Sequence, residues 1–215
     1  MFERPLRLRH SDEQRVFFTS DSHFFHDRDF IYAKRGYSNR YEHNEGLINK
    51  INECVRENDV ICHLGDYCLN VTMAEFEDTL RKINCNRIYY IFGNHNSCIR
   101  KFYEQAVAAE FQRNDIEVFP YTIGKLTYLG YYKELIVNGQ MIVLSHYPFQ
   151  IWNQQQNNAW CLSGHSHYTN PHTQVSCKEG KILDLGWEGH HKPLSFDEVQ
   201  SIMKDKSHKR SDDHH

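Results

Sequence analysis

The chain has 215 residues, of which 40% are hydrophobic and 25% are charged, and its formal net charge is −3 at neutral pH. This composition predicts a folded globular protein and excludes an intrinsically disordered chain. The charge balance also lacks the strongly basic character that is typical of a broad nucleic-acid-binding surface.

The length predicts one domain, which we place at residues 1–204, followed by a polar tail at 205–215 that we expect to be disordered. No apolar run reaches the ~18 residues that span a bilayer, and no apolar segment follows the N-terminal arginines. We therefore expect neither a membrane span nor a signal peptide. The seven cysteines contain no Cys-x-x-Cys pair, which favours reduced thiols in the cytoplasm.

The first half of the chain alternates short apolar runs with helical patterns. The predicted elements are strands at 15–20, 59–64 and 87–92, and helices at 41–57, 72–83 and 97–111. Thr72 and Glu75 have the spacing of a capping box at the start of the second helix. Three successive strand–helix units predict a largely parallel sheet in an α/β fold.

The second half is rich in short β patterns. The predicted elements are strands at 116–119, 126–129, 135–137, 141–145, 160–164, 174–177 and 181–185, and a closing helix at 196–203. Asn138-Gly139 predicts a tight hairpin between two of these strands. Ser195 is a suitable N-cap for the closing helix.

Polar side chains follow five of the predicted strands at the point where each strand ends. Because the carboxyl ends of strands are where sites assemble in α/β sheets, we expect these side chains to lie together. A mixture of carboxylate, amide and imidazole ligands suits borderline divalent metals, and the number of ligands suffices for two ions. The candidate metal ligands are Asp21, His23, Asp66, Asn94, His146, His165 and His167.

Read in order, these clusters resemble the five motifs of the calcineurin-like metallophosphoesterase superfamily, which are D-x-H, G-D, G-N-H-[D/E], H and G-H-x-H. The resemblance covers about 16–199 and extends to a small bacterial and phage branch. That branch shares the extended first motif at 21–26, an Arg35 and Tyr37 pair, Asn44-Glu45, and His63-Leu64-Gly65-Asp66. The resemblance implies a four-layer α-β-β-α sandwich of two mixed sheets.

The resemblance also implies a role for each candidate ligand. One cation would be held by Asp21, His23 and His167, the other by Asn94, His146 and His165, and Asp66 would bridge both. Manganese is the first choice for both cations, with iron, zinc, nickel or cobalt as alternatives. The catalytic histidine of the family corresponds to His95, beside the substrate phosphate.

The expected function is a phosphodiesterase in which a metal-bridging hydroxide attacks phosphorus in line with the leaving oxygen. His95 would contact the phosphate or protonate the leaving group, and Asp66 would act through the metal pair. His26 and Arg35 are candidate substrate contacts, because arginine matches phosphate oxygens well. The expected partner is a phosphate ester, a nucleotide included; no membrane is expected and the oligomeric state is not predicted.

Two departures from the family pattern bear on this expectation. Asn96 replaces the acidic residue that normally follows the catalytic histidine, so proton donation by His95 is expected to be weaker. The stretch from Leu185 to Glu188 is also unusual for the last strand exit.

Two alternatives stay open. A metal-dependent nuclease would share these motifs, although the chain has no room for an extra DNA-binding segment and its charge gives no support. A metal-binding scaffold that has lost turnover is favoured only by Asn96, because every ligand is present.

Overall fold

The structure is a computed structural model that describes residues 4–95, 97–113 and 117–207. Its strands are β1 Leu6–Leu8, β2 Val16–Thr19, β3 Val60–His63, β4 Arg87–Tyr90, β5 Tyr121–Ile123, β6 Leu126–Tyr128, β7 Tyr132–Val137, β8 Gln140–Ser145, β9 Trp160–Ser163, β10 Ile182–Asp184 and β11 Leu194–Ser195. Its helices are α1 Asp29–Tyr32, α2 Arg40–Cys54, α3 Met73–Lys82, α4 Ser97–Phe111, α5 Trp187–His190 and α6 Phe196–Lys204. Short 3-10 turns lie at Gln155–Asn157 and Pro171–Thr173.

One sheet has six strands in the order β11-β2-β3-β4-β6-β5. Strands β2, β3, β4 and β6 are parallel, whereas β11 and β5 are antiparallel edge strands. The predicted run of strand–helix units is therefore confirmed. Thr72 and Glu75 form the predicted capping box at the start of α3.

The other sheet has five strands in the order β1-β7-β8-β9-β10. Strands β7 and β8 form the predicted antiparallel hairpin, and Asn138 and Gly139 at its turn have φ of 49° and 88°. Positive φ at both central residues is what a type I′ turn requires, and asparagine and glycine tolerate it. Strands β8, β9 and β10 are parallel, so both sheets are mixed, as the α/β sandwich prediction requires.

The two sheets pack face to face through an apolar cluster. Strand side chains alternate, so Phe18 points between the sheets while Phe17 joins the cluster beneath the helices. The inner cluster contains Leu144 and Leu162 from the five-stranded sheet. Helices α2, α3 and α4 cover the outer face of the six-stranded sheet. Trp152 packs on the outer face of the five-stranded sheet.

Two predicted strands are corrected. Residues 117–119 are not a strand, and residue 116 lies outside the described residues. The strand begins at Tyr121, just after Pro120, because proline has no N–H for a sheet ladder. The predicted strand at 174–177 is a turn, because the Lys206 ammonium, rather than a neighbouring strand, donates to the Gln174 and Cys177 carbonyls (2.7 and 2.6 Å).

The packed part of the chain also extends beyond the predicted boundary at residue 204. Lys206 is buried, and Ser207 forms a parallel bridge with Glu179. The rest of the predicted tail, 208–215, lies outside the described residues. Among the helices of the described residues, none combines the length and the apolar character that a bilayer span requires.

Candidate active site

The candidate site lies where strands of both sheets end. Asp21 and His23 follow β2, Asp66 follows β3, and Asn94 follows β4. The remaining candidate ligands follow strands of the other sheet: His146 after β8, and His165 and His167 after β9. The two halves of the site are joined directly, because the His165 amide donates to the Asp21 carboxylate at 3.1 Å. The seven side chains that the sequence singled out thus meet at one edge.

Most of these residues have an unfavourable backbone conformation. Left-handed φ values between 47° and 69° occur at Asp21, His23, Asp66, His165 and His167. Non-glycine residues rarely adopt this conformation, and it persists only where the surrounding structure holds it. Five of the seven candidate ligands are therefore held in a strained backbone conformation.

Two glycines allow the close approach of these loops. A Cβ atom at Gly93 would overlap the Asp66 carboxylate, and one at Gly164 would overlap the Ser20 hydroxyl and the Asp21 carboxylate. Glycine is therefore required at both positions for steric reasons. This explains why the motifs pair glycine with a following ligand.

The first ligand group consists of Asp21, His23 and His167. The Nε2 atoms of the two histidines lie 3.1 Å apart, and each lies 3.9 Å from Asp21 Oδ1. One ligand atom from each residue falls within 4.8 Å of the others. The Nδ1 atom of His167 is hydrogen-bonded to Glu188 (3.1 Å), which leaves Nε2 to face the group. This arrangement suits a single cation bound by one carboxylate and two imidazoles.

The second ligand group consists of Asn94, His146 and His165. The His146 Nδ1–H donates to the Leu64 carbonyl (2.7 Å), so that its Nε2 lone pair points into the site. The Asn94 Oδ1 atom lies 2.9 Å from this Nε2 and 2.8 Å from Nδ1 of His165. Asp66 lies between the groups, with Oδ2 3.5 Å from His146 Nε2 and 3.8 Å from His23 Nε2.

The electrostatics of the site also suit cations. Burial raises the pKa of Asp21 to about 7 and lowers that of His23 well below its usual value. Burial acts to raise the pKa of Asp66 too, but hydrogen bonding and the charges of His146 and His23 bring it down to about 2. Buried carboxylates and converging imidazole lone pairs are costly without a positive charge between them. The residues present therefore fit two divalent metal ions.

His95 and His26 lie next to the first ligand group. His95 is exposed, its amide donates to Asp66 Oδ1 (2.8 Å), and its ring lies 5.8 Å from that of His23. The His26 ring is 5.6 Å from that of His23 on another side, and its Nδ1 accepts the Arg28 amide (3.1 Å). Asn96 lies outside the described residues, so its effect on His95 stays a prediction.

The structure contradicts the predicted substrate contact by Arg35, whose side chain is only 1% exposed. Its guanidinium donates to the Asp21 and Ser22 carbonyls (both 2.7 Å), to His43 Nε2 (3.0 Å) and twice to Glu188 Oε1. Each of its N–H groups has a partner within the protein. Arg35 therefore lies beneath the first motif and does not face a substrate.

Three neighbours of the site were not predicted as functional. Glu188 in α5 contacts His167, and His63 Nε2 lies 2.8 Å from the Ser22 hydroxyl. The Tyr147 ring lies 4.4 Å from that of His165 and is tilted by 55° to it. The only sequence signal for Glu188 was the unusual segment that follows β10. Tyr147 follows His146 directly, and its 50% exposure cannot be read from sequence.

A family model for calcineurin-like phosphoesterases matches residues 14–169, which contain every candidate ligand. The chain belongs to this family. This calcineurin-like phosphoesterase is accordingly a hydrolase of phosphate esters, and its family depends on divalent metals. The superfamily resemblance drawn from the five motifs is confirmed.

Other proteins similar to this chain include one curated sequence and two solved structures. An uncharacterized protein, MJ1445 of Methanocaldococcus jannaschii, is 34% identical over 194 residues, which are 89% of this chain and 92% of that protein. A protein of unknown function from Aquifex aeolicus, AQ665, has a similar fold with a TM-score of 0.57 at 19% identity, covering 88% of this chain and 99% of that one. The E. coli phosphoesterase Yfce aligns with a TM-score of 0.41 at 16% identity, over 80% of this chain and 78% of that one.

Proposed function

We propose that this calcineurin-like phosphoesterase is a phosphodiesterase that works with two divalent cations, manganese first. One cation would be held by the first ligand group, the other by the second, and Asp66 would bridge them. The observation that carries this proposal is the position of the Asp66 carboxylate, which lies within 4 Å of Nε2 atoms from both groups. Iron, zinc, nickel and cobalt remain alternatives for the metal.

The residues of the chain position the reaction. When bound, the two cations would neutralise negative charge on the phosphoryl oxygens and lower the pKa of a bound water molecule towards neutrality. Asp66 fixes His95, because its Oδ1 atom accepts the His95 amide at 2.8 Å. His95 would place a ring nitrogen beside the phosphate and deliver a proton to the leaving oxygen.

Exposed aromatic side chains beside the site favour a substrate with a planar group. Tyr147 is 50% exposed and packs against His165, and Phe30 is 55% exposed with its ring 5.3 Å from that of His26. Exposed aromatic rings stack on bases without regard to sequence. We therefore propose nucleotide or aryl diesters as the substrate class, and Tyr147 as the ring that contacts the planar group.

A nuclease and a turnover-deficient scaffold are the competing assignments. The net charge of −3 does not favour a long nucleic-acid substrate. The completeness of the two ligand groups does not favour a scaffold. A cytoplasmic location is part of the proposal, and it is supported by the free thiols of all seven cysteines.

The proposal is tested by adding metals back singly to chelated protein. Hydrolysis of bis-p-nitrophenyl phosphate, p-nitrophenyl phosphate and single-stranded DNA would be followed with Mn²⁺, Ni²⁺, Co²⁺, Zn²⁺ and Mg²⁺. We expect metal-dependent cleavage of the diester in preference to the monoester. Preference for DNA would favour the nuclease, and no turnover by protein that binds two ions would favour the scaffold.

A further inference from the structure

Glu188 is placed where it can control a candidate metal ligand from outside the metal centre. It lies in the single-turn helix α5, and its Oε1 atom contacts His167 Nδ1 (3.1 Å) and the Arg35 guanidinium (2.7 and 3.0 Å). Because Arg35 can only donate and a carboxylate can only accept, Oε1 is the acceptor for both. The His167 proton is therefore held on Nδ1, and Nε2 presents its lone pair.

Arg35 connects this carboxylate to the first motif. The guanidinium that donates to Glu188 also donates to the main-chain carbonyls of Asp21 and Ser22, each at 2.7 Å. A planar guanidinium with all its donors engaged is rigid, and it cannot be replaced by a lysine ammonium without loss of geometry. His167, Glu188, Arg35 and the backbone of Asp21 thus form one connected unit.

We propose that Glu188 and Arg35 are positioning residues that hold His167 in the tautomer and orientation needed to bind a cation together with Asp21 and His23. This inference rests on the proposed metal centre but not on the identity of the substrate. Carboxylates that orient a ligating imidazole contribute about 10- to 100-fold to metal affinity or activity.

The geometry distinguishes this role from that of an ordinary ion pair. If the ion pair of Glu188 with Arg35 served only to anchor α5, Glu188 would not need to accept a hydrogen bond from His167 Nδ1. This nitrogen is the one opposite Nε2, which faces the candidate metal site. The other ring nitrogen, His167 Nε2, faces the candidate metal site, where the Asp21 carboxylate lies 3.9 Å away. His167 is therefore held through Nδ1 by Glu188, and its Nε2 lone pair is directed towards the place where a cation would contact Asp21.

The test measures metal binding directly. Chelated wild-type protein, Glu188→Ala and Glu188→Gln would be titrated with MnCl₂ by calorimetry, and the visible spectrum of the Co²⁺ forms would report coordination. Glutamine keeps an oxygen that accepts the His167 proton, whereas alanine removes it. We expect Glu188→Ala to lose about 10- to 100-fold in affinity for one ion and Glu188→Gln to lose less than about tenfold.

Two further variants keep the test decisive. Arg35→Lys should weaken binding of the same ion, because Glu188 loses the two hydrogen bonds that it accepts from the guanidinium. Asp59→Asn is the matched control, since Asp59 is a buried carboxylate paired with Arg15 (2.6 Å) at the opposite, amino end of β3. It should lower stability and leave Mn²⁺ affinity unchanged.

The outcomes separate this inference from the proposed function. The proposal that Glu188 orients His167 is wrong if folded Glu188→Ala binds both ions as tightly as wild type. It is also wrong if Glu188→Gln binds Mn²⁺ as weakly as Glu188→Ala does. If wild type binds two ions but cleaves no diester while Glu188→Ala still loses one ion, the positioning role holds and the phosphodiesterase proposal fails.

Discussion

His23 and His167 face each other with their Nε2 atoms 3.1 Å apart and their rings stacked at 4.9 Å. The Nδ1 atom of His167 is bonded to Glu188, so Nε2 carries the lone pair in the neutral ring. A lone pair turned towards a second imidazole and a buried carboxylate is arranged for a shared cation. This contact joins residues 144 positions apart and therefore depends on the two sheets meeting.

Replacing His95 by alanine should lower kcat for diester hydrolysis by about 10²- to 10⁴-fold, the usual contribution of a positioned acid or base. His95 touches the site through its main-chain amide, which alanine retains, so both ions should still bind. Initial rates and Mn²⁺ calorimetry on one preparation would check this. Loss of both ions in the variant would show that His95 is structural.

Replacing Tyr147 by alanine should raise KM for aryl and nucleotide diesters about 5- to 150-fold, since base stacking on an aromatic ring contributes about 1–3 kcal/mol. This prediction depends on the proposed substrate class. Dimethyl phosphate has no planar group, and binding of this control ligand should not change. Equal weakening for both ligands would instead mean that the substitution disturbs His165, on which Tyr147 packs.

The metal-free protein should lose stability in acid partly through His63. Complete burial lowers the pKa of His63 to about 3. Its unfolded pKa is about 6.5, so unfolding takes up a proton between these values, and stability falls as pH falls. Relative to His63→Gln, the wild type should lose about 1.4 kcal/mol per pH unit below about pH 6.5.

Urea unfolding of both chelated proteins between about pH 4.5 and 7.5 would measure that difference. His63 is chosen because other groups act in opposite directions: Asp21, with its pKa raised to about 7, favours the folded state as pH falls. The comparison with His63→Gln cancels those contributions. Parallel stability curves for the two proteins would contradict a neutral buried His63.

The cluster between the two sheets should dominate stability. Leu162 on β9 is fully buried there, and Leu162→Ala should lower the free energy of unfolding by about 2–5 kcal/mol. Ile151, which is 61% exposed, provides the control. Ile151→Ala should change the free energy of unfolding by less than about 0.5 kcal/mol. Similar losses in both variants would mean that the sheets do not meet at Leu162.

The candidate ligands were predictable because each belongs to a short motif at the end of an apolar run. Only one residue separates Asp21 from His23, and only one separates His165 from His167. The local sequence pattern is therefore enough to identify them as candidate ligands. The pairing of Arg35 with Glu188 was not predictable, since 153 positions separate them and each also fits a surface role. The segment at 174–177 has a β pattern, but its carbonyls bond to a distant lysine, Lys206.

The most direct test of the two-metal centre is the Asp66→Asn variant, measured for both ion stoichiometry and Mn²⁺-dependent hydrolysis of bis-p-nitrophenyl phosphate. The carboxylate lies between the two ligand groups, and its charge is what asparagine removes. We predict that wild type binds two ions and that the variant binds fewer. The variant should lose about 10²-fold or more in kcat/KM, because metal charge stabilisation amounts to several kcal/mol. A folded Asp66→Asn protein that binds two ions and hydrolyses the diester at the wild-type rate would contradict the central role of Asp66.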